Sequence, residues 1–180
     1  MKLFPRTLTL AAAICGVTSI SAAQGPAVGD MAPDWKLPIS TMAGVGDSLA
    51  LSSLQGKTVV LAFFPKARTG GCTIQMRAYR DRFKELFGEG GDVVLIAISK
   101  DTPAELASWA ADEKFPFRFA ADVDGAAGTA YGTLAEGRQW ESRVLFVVGP
   151  TGKIQTVMRP FREIDPTAYD ELKTAVRAAK

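Results

Sequence analysis

Two uninterrupted apolar runs constrain this chain more than anything else in it: "TVVLAFF" at Thr58–Phe64 and "DVVLIAIS" at Asp92–Ser99. A strand with one wet face alternates apolar and polar residues. These runs do not alternate, so both faces must be covered, as in a parallel sheet. Between them Met76, Tyr79, Phe83 and Leu86 recur at helical spacing, with Arg77, Arg80, Asp81 and Lys84 interleaved. That periodicity predicts one amphipathic helix over 71–87, ended by "GEGG".

The remaining elements follow in order. Val28 to Pro38 reads as extended, and "TMAGVGDSLALSSLQGK" as a loose hairpin and turn. Thr102 and Glu105 make a capping box with Pro103 at the first helical position, opening a helix in "DTPAELASWAADEK". A short strand in "FPFRFAAD" and a short helix in "DGAAGTAYG" come next. "SRVLFVVGPTGKIQTVM" reads as a hairpin about a Gly-Pro-Thr-Gly turn, and "DPTAYDELKTAVRAAK" as a last helix capped by Asp165. Strands alternating with helices give an α/β class, a central mixed β-sheet flanked by helices with an N-terminal β extension. This order resembles the thioredoxin-like superfamily. Trp35, Trp109 and Trp140 are expected to be packing residues.

The first residues stand apart. Lys2 and Arg6 make a basic start, Leu8 to Ile20 is mostly apolar or small, and Ser21 and Ala23 suit the −3 and −1 positions of a cleavage site. Residues 1–23 therefore read as a secretory signal peptide and 24–180 as one domain, exported and periplasmic in type. The apolar stretch is short and diluted for a spanning helix, so no stable membrane insertion is expected after processing. Cys15 lies inside the leader. As a lipidation site it would follow Ile14, where a small residue is expected.

Of 21 basic and 19 acidic residues, Lys2 and Arg6 leave with the leader, and the remaining charges balance. A neutral domain without a long basic run is a poor nucleic-acid binder. There is no histidine, and Cys72 is the single cysteine of the mature chain, so imidazole and thiolate-rich metal sites are excluded. Neither a metal nor a cofactor is expected.

Cys72 sits where the first buried strand gives way to a helix, in "FFPKARTGGCTIQMRAYRD". The first turn of a helix has backbone N–H groups without intrahelical partners and lies at the positive end of the helix dipole. Both favour the thiolate, the nucleophilic form. A lone cysteine in an exported chain has no internal disulfide partner; the plainer reading is a small buried core residue.

The segment Pro65, Thr69 and Cys72 resembles the Pro-x-x-x-Thr-x-x-Cys motif of the peroxiredoxins. "CTIQMRAYRD", with Gln75 and the Tyr79–Asp81 triplet, looks like the bacterioferritin comigratory protein (peroxiredoxin Q) branch, and "SRVLFVVGPTGKI" resembles the strand that carries its active-site arginine, here Arg143. Two departures stand out. Arg77 occupies the place five residues on where many members carry a resolving cysteine, and Gly70 replaces a usual proline.

The resemblance implies a one-cysteine thiol peroxidase acting on hydrogen peroxide or organic hydroperoxides. Cys72 would be the nucleophile, oxidised to a sulfenic acid. Arg143 would supply positive charge and Thr69 a hydroxyl beside the sulfur. Gly71 and Cys72 would offer backbone N–H groups to the reacting oxygens, Pro65 would shield the site, and Gln75 would support the substrate shell. The partners implied are the peroxide, an external thiol or thioredoxin-like reductant, and a homodimer as an open option. A free thiol with a pKa of about 8.5 is roughly 3 % ionised at pH 7. Complete ionisation therefore gains at most about thirtyfold, or roughly 2 kcal/mol of barrier; larger acceleration must come from positioning.

Two other readings stay open. A redox sensor or binding protein on the same fold would be oxidised once and turn over slowly. A thioredoxin-like disulfide oxidoreductase needs a Cys-x-x-Cys pair, which Gly71 to Gln75 lack. Singly, Pro65 also suits a strand end, Thr69 a helix cap and Arg143 a surface ion pair.

Overall fold

The computed structural model describes residues 25–180; the leader expected over 1–23, with Cys15, lies outside them. β1 (Lys36–Thr41) and β2 (Gly44–Ala50) form the N-terminal hairpin, followed by a 3-10 turn at Leu51–Leu54. Then come β3 (Thr58–Phe63), α1 (Gly70–Asp81), α2 (Phe83–Phe87), β4 (Val93–Ser99), α3 (Pro103–Glu113), β5 (Arg118–Ala121) and α4 (Ala126–Ala130). β6 (Val144–Val148), β7 (Ile154–Met158) and α5 (Pro166–Ala178) complete the chain.

The strands make one seven-stranded sheet in the order β2-β1-β5-β4-β3-β6-β7. β3, β4 and β5 run parallel, while β6 lies antiparallel to β3 and β7 antiparallel to β6. The sheet is mixed, as the strand and helix order requires.

The non-alternating runs are explained by two cores. Val60, Ala62, Leu95, Ala97, Leu145 and Val147 face one side, against Met76 and Tyr79 of α1, Trp109 of α3, and Tyr169 and Leu172 of α5. Val59, Leu61, Phe63, Ile96, Ile98 and Phe146 face the other, against Trp35, Leu51, Leu54 and Tyr131. Each large apolar side chain so buried contributes roughly 1.5–3 kcal/mol.

The helix expected over 71–87 is two helices, broken at Arg82, whose φ of −109° and ψ of 19° leave the helical region. The apolar stripe runs through the break, so periodicity carried no sign of it. The Arg82 side chain is drawn aside to Glu85 and to Asp170 on α5. Trp140 also departs from expectation: it is 39 % exposed, with Lys66 Nζ 4.4 Å above its ring. The capping box forms as read, with Thr102 accepting from the Glu105 N–H and Glu105 returning to the Thr102 N–H. Asp165 caps α5 through the Thr167 N–H.

Candidate active site

The site gathers where the parallel strands end, the usual location in open α/β sheets. β3 delivers Pro65 and the loop into α1, and β4 ends at Ser99, two residues before Asp101, which bonds to that loop. Antiparallel pairing does the rest. Phe63 is opposite Val144, so the residue before β6, Arg143, meets the chain that leaves β3. Leu145 is opposite Met158, so the chain leaving β7 returns to the same corner, where the Phe161 N–H donates to the Arg143 carbonyl at 3.0 Å. Register thus brings Arg143 and Glu163 to Cys72 from far along the sequence.

The loop from Pro65 to Thr69 is tightly held. Asp101, 6 % exposed, accepts from the Ala67 N–H at 2.7 Å and from the Ser99 hydroxyl at 2.8 Å. Arg68 adopts a left-handed φ of 63°, at a cost of about 1–2 kcal/mol for a non-glycine residue, while its guanidinium is tied to Ser108 and Asp112. The Thr69 hydroxyl donates to the Lys66 carbonyl at 2.9 Å across this turn. No Thr69–Cys72 hydrogen bond exists among the described residues, so the hydroxyl does not donate to the sulfur. Because its proton points at Lys66, the Thr69 oxygen is left with lone pairs to offer.

Thr69 is also the N-cap of α1, yet its side chain caps nothing. The first intrahelical bond runs from the Thr73 N–H to the Thr69 carbonyl at 2.8 Å. The Gly71 and Cys72 N–H groups, which an N-cap side chain ordinarily satisfies, have no acceptor among the described residues. They are donors in waiting for an oxygen-rich ligand.

Cys72 is 1 % exposed. Its sulfur receives a hydrogen bond from Arg143 Nη2 at 3.4 Å. Arg143 Nη1 donates to Gln75 Oε1, and Nε lies 3.1 Å from Glu163 Oε2. Gln75 is fully buried and passes its amide N–H to the Tyr79 hydroxyl at 2.7 Å. Both ends of the amide are therefore taken by protein groups, and Gln75 is placed as a support for Arg143 rather than as a ligand of substrate. Burial pushes the Tyr79 phenol far above its ordinary range, so it stays neutral. Pro65 is half-buried and lines a surface depression with Trp140 and Arg143.

Sequence reasoning missed two acids. Glu163 has no motif to mark it. Gly71 shows where it sits: a Cβ there would fall 2.5 Å from Glu163 Oε1 and 3.1 Å from Arg143 Nη2, so only a glycine admits the carboxylate so close to α1. Glu141 is 2 % exposed. Burial, reinforced by the neighbouring Asp122 carboxylate, pushes its carboxyl well above the usual range. As a carboxylate it has no hydrogen-bond partner; protonated, it can donate to Asp122, which already accepts from the Ala127 and Gly128 N–H groups.

Comparison with known proteins agrees with this arrangement. Residues 28–157 match the family described as AhpC/TSA. Peroxiredoxin Bcp of Escherichia coli is 34% identical over 140 residues, spanning 74% of this chain and 86% of that protein. The crystal structure of peroxidoxin BcpB from Mycobacterium tuberculosis superposes with a TM-score of 0.72 at 26% identity, covering 85% of this chain and 97% of that one. A cysteine-to-serine mutant of Xylella fastidiosa PrxQ shares the fold with a TM-score of 0.73 at 21% identity, covering 86% and 98%. A buried cysteine at a helix start, held by an arginine delivered through strand register, thus stands in a chain that belongs to the AhpC/TSA family, in the Bcp/PrxQ-like branch of the peroxiredoxins.

Proposed function

We propose that this chain reduces hydrogen peroxide or organic hydroperoxides through Cys72, which becomes a sulfenic acid and is restored by an external thiol. The observation that carries the reading is the 3.4 Å contact between Arg143 Nη2 and the Cys72 sulfur. The sulfur lone pair attacks one peroxide oxygen, the S–O bond forms as the O–O bond breaks, and the departing oxygen leaves as water or alcohol after taking a proton. Arg143 sets positive charge against both the sulfur and the charge that builds on the departing oxygen. The open Gly71 and Cys72 N–H groups donate to the peroxide, and the Thr69 oxygen accepts its O–H. One external thiol then condenses with the sulfenic acid and releases water. A second displaces the resulting mixed disulfide and restores Cys72.

The reductant is external because Cys72 is the one free cysteine among the described residues, and Arg77 is engaged by Glu113 at 2.6 Å. That same feature favours the second reading, a sensor oxidised once and turned over slowly. Peroxide consumption in excess dithiothreitol separates them. Many turnovers per Cys72, lost in Cys72→Ser, are expected; one stoichiometric oxidation supports the sensor. Intact mass after one equivalent of peroxide should show a single added oxygen. The three-part layout of residues 1–23 supports export to the periplasm. An N-terminus at Gln24 in the exported protein is expected, and a chain retained in the cytoplasm with Met1 intact would overturn it.

A further inference from the structure

The structure assigns Glu163 as the positioning residue for Arg143, acting through the 3.1 Å placement of its carboxylate oxygen at Nε and against the effect of its charge on the reaction; this rests on the peroxidase reading above. Each guanidinium nitrogen faces one partner: Nη1 donates to Gln75 Oε1 and Nη2 to the Cys72 sulfur at 3.4 Å, while Nε forms an ion pair with Glu163 Oε2 at 3.1 Å. A guanidinium is a rigid plane, so holding two edges fixes where the third points. Gln75 holds one edge from a fully buried position and is itself held by Tyr79. Glu163 must hold the other.

Its charge works the wrong way for the reaction. A carboxylate beside Arg143 offsets the positive potential that the sulfur and the departing oxygen need. A neutral acceptor at the same place would hold the plane without that penalty, so the contact is best explained by geometry. The surroundings agree. The Glu163 carbonyl accepts from the Tyr169 hydroxyl at 2.8 Å, and the Phe161 N–H is bonded to the Arg143 carbonyl, so the backbone that carries the carboxylate is anchored on both sides of it. The carboxylate also packs into the space left by the missing Cβ of Gly71. Glu163 reaches no substrate in this scheme; it sets the direction of the group that does.

The test compares Glu163→Ala and Glu163→Gln with the parent protein in two reactions at one pH: oxidation of Cys72 by hydrogen peroxide, and its alkylation by iodoacetamide, which needs no guanidinium. Glu163→Ala should lose tenfold or more in the peroxide rate constant while alkylation changes less than threefold. Glu163→Gln, which keeps an oxygen for Nε, should retain at least a third of the parent peroxide rate. A peroxide rate in Glu163→Ala equal to the parent's overturns the inference. Equal losses in both variants overturn it too, since charge would then be what matters, and so does a parallel fall in alkylation, which signals general disturbance of the site. If peroxide fails to oxidise Cys72 in the parent protein, the peroxidase reading falls and this one with it; the other three outcomes leave that reading standing.

Discussion

Gly71→Ala should make the protein more stable and a worse peroxidase. Gly71 lies in the first turn of α1 with an ordinary helical backbone, so alanine fits without strain. Replacing a helical glycine by alanine gains about 0.5–1 kcal/mol, through helix propensity and a less disordered unfolded chain. For a domain of this size that raises Tm by roughly 2–4 °C per kcal/mol. The new methyl group, however, would lie 2.5 Å from Glu163 Oε1, and ordinary contact begins near 3.4 Å. The carboxylate is the far end of a flexible, partly exposed side chain, so it yields cheaply. In yielding it lets go of Arg143 Nε, and Arg143 Nη2, at 3.1 Å from the same methyl, is crowded as well. A displacement of about 1 Å in a group aimed at the reacting atoms costs up to a hundredfold in rate, so a 10- to 100-fold loss is expected. Single-turnover oxidation of Cys72 by hydrogen peroxide gives the rate, and thermal melting gives the stability. A variant that gains stability and oxidises at the parent rate refutes the reasoning. A variant that loses both shows that the methyl group damages the fold, and the site argument fails with it.

Arg143→Lys keeps a positive charge but not the planar fork, and should oxidise at least tenfold more slowly in the same single-turnover assay; parent-like rates would show that charge alone suffices. Glu141→Gln should stabilise the fold in a pH-dependent way. The folded carboxyl titrates above its unfolded value because of burial and then Asp122, so the contribution of Glu141 is fully present only below about pH 4.5. That contribution falls by up to about 1.4 kcal/mol per pH unit as Glu141 ionises in the unfolded chain first, until the folded group ionises too. The advantage of glutamine, measured from urea midpoints, should therefore be absent at pH 4 and present at pH 7, and an equal advantage at both would contradict it. Thr102→Ala removes the capping box of α3 and should cost about 1 kcal/mol in the same urea titrations.

What could be read without the structure was local or periodic. The two buried strands follow from runs that do not alternate, and the capping box of Thr102 and Glu105 from residues three apart that satisfy each other. The approach of Arg143 to Cys72 was implied only by resemblance; its physical cause is the pairing of Phe63 with Val144, which no short stretch encodes. The break at Arg82 is invisible because the apolar stripe continues through it, while the pull on its side chain comes from α5, far along the chain. Glu141 and Glu163 look like surface acids. One is buried because the segment before β6 packs its carboxyl against Asp122 and Gly128, the other is placed because β7 returns antiparallel to β6. Trp140 misleads in the opposite sense, an aromatic residue left half in solvent under a lysine.

The split between local and remote parts bears on what the cysteine can do. The first turn of α1 by itself supplies an uncapped helix start and a thiol, which any small electrophile can use. Preference for a peroxide needs a charge aimed at the O–O bond, and that charge arrives only when β6 has paired with β3 and β7 with β6. Selectivity is therefore a property of the folded sheet, and reactivity a property of the loop. Burial sharpens the point. With Cys72 1 % exposed, a slender peroxide would have an advantage over bulkier oxidants, whereas a thiol reductant would have to reach the oxidised sulfur from outside. The turn that would have to open for it is the weakest in the helix: Thr69 does not cap it, and Gly70 and Gly71 contribute the poorest helix propensity short of proline. Each missing cap or glycine lowers the cost of unwinding by about 1 kcal/mol. The same features that leave the Gly71 and Cys72 N–H groups without an acceptor thus also make the turn cheap to open.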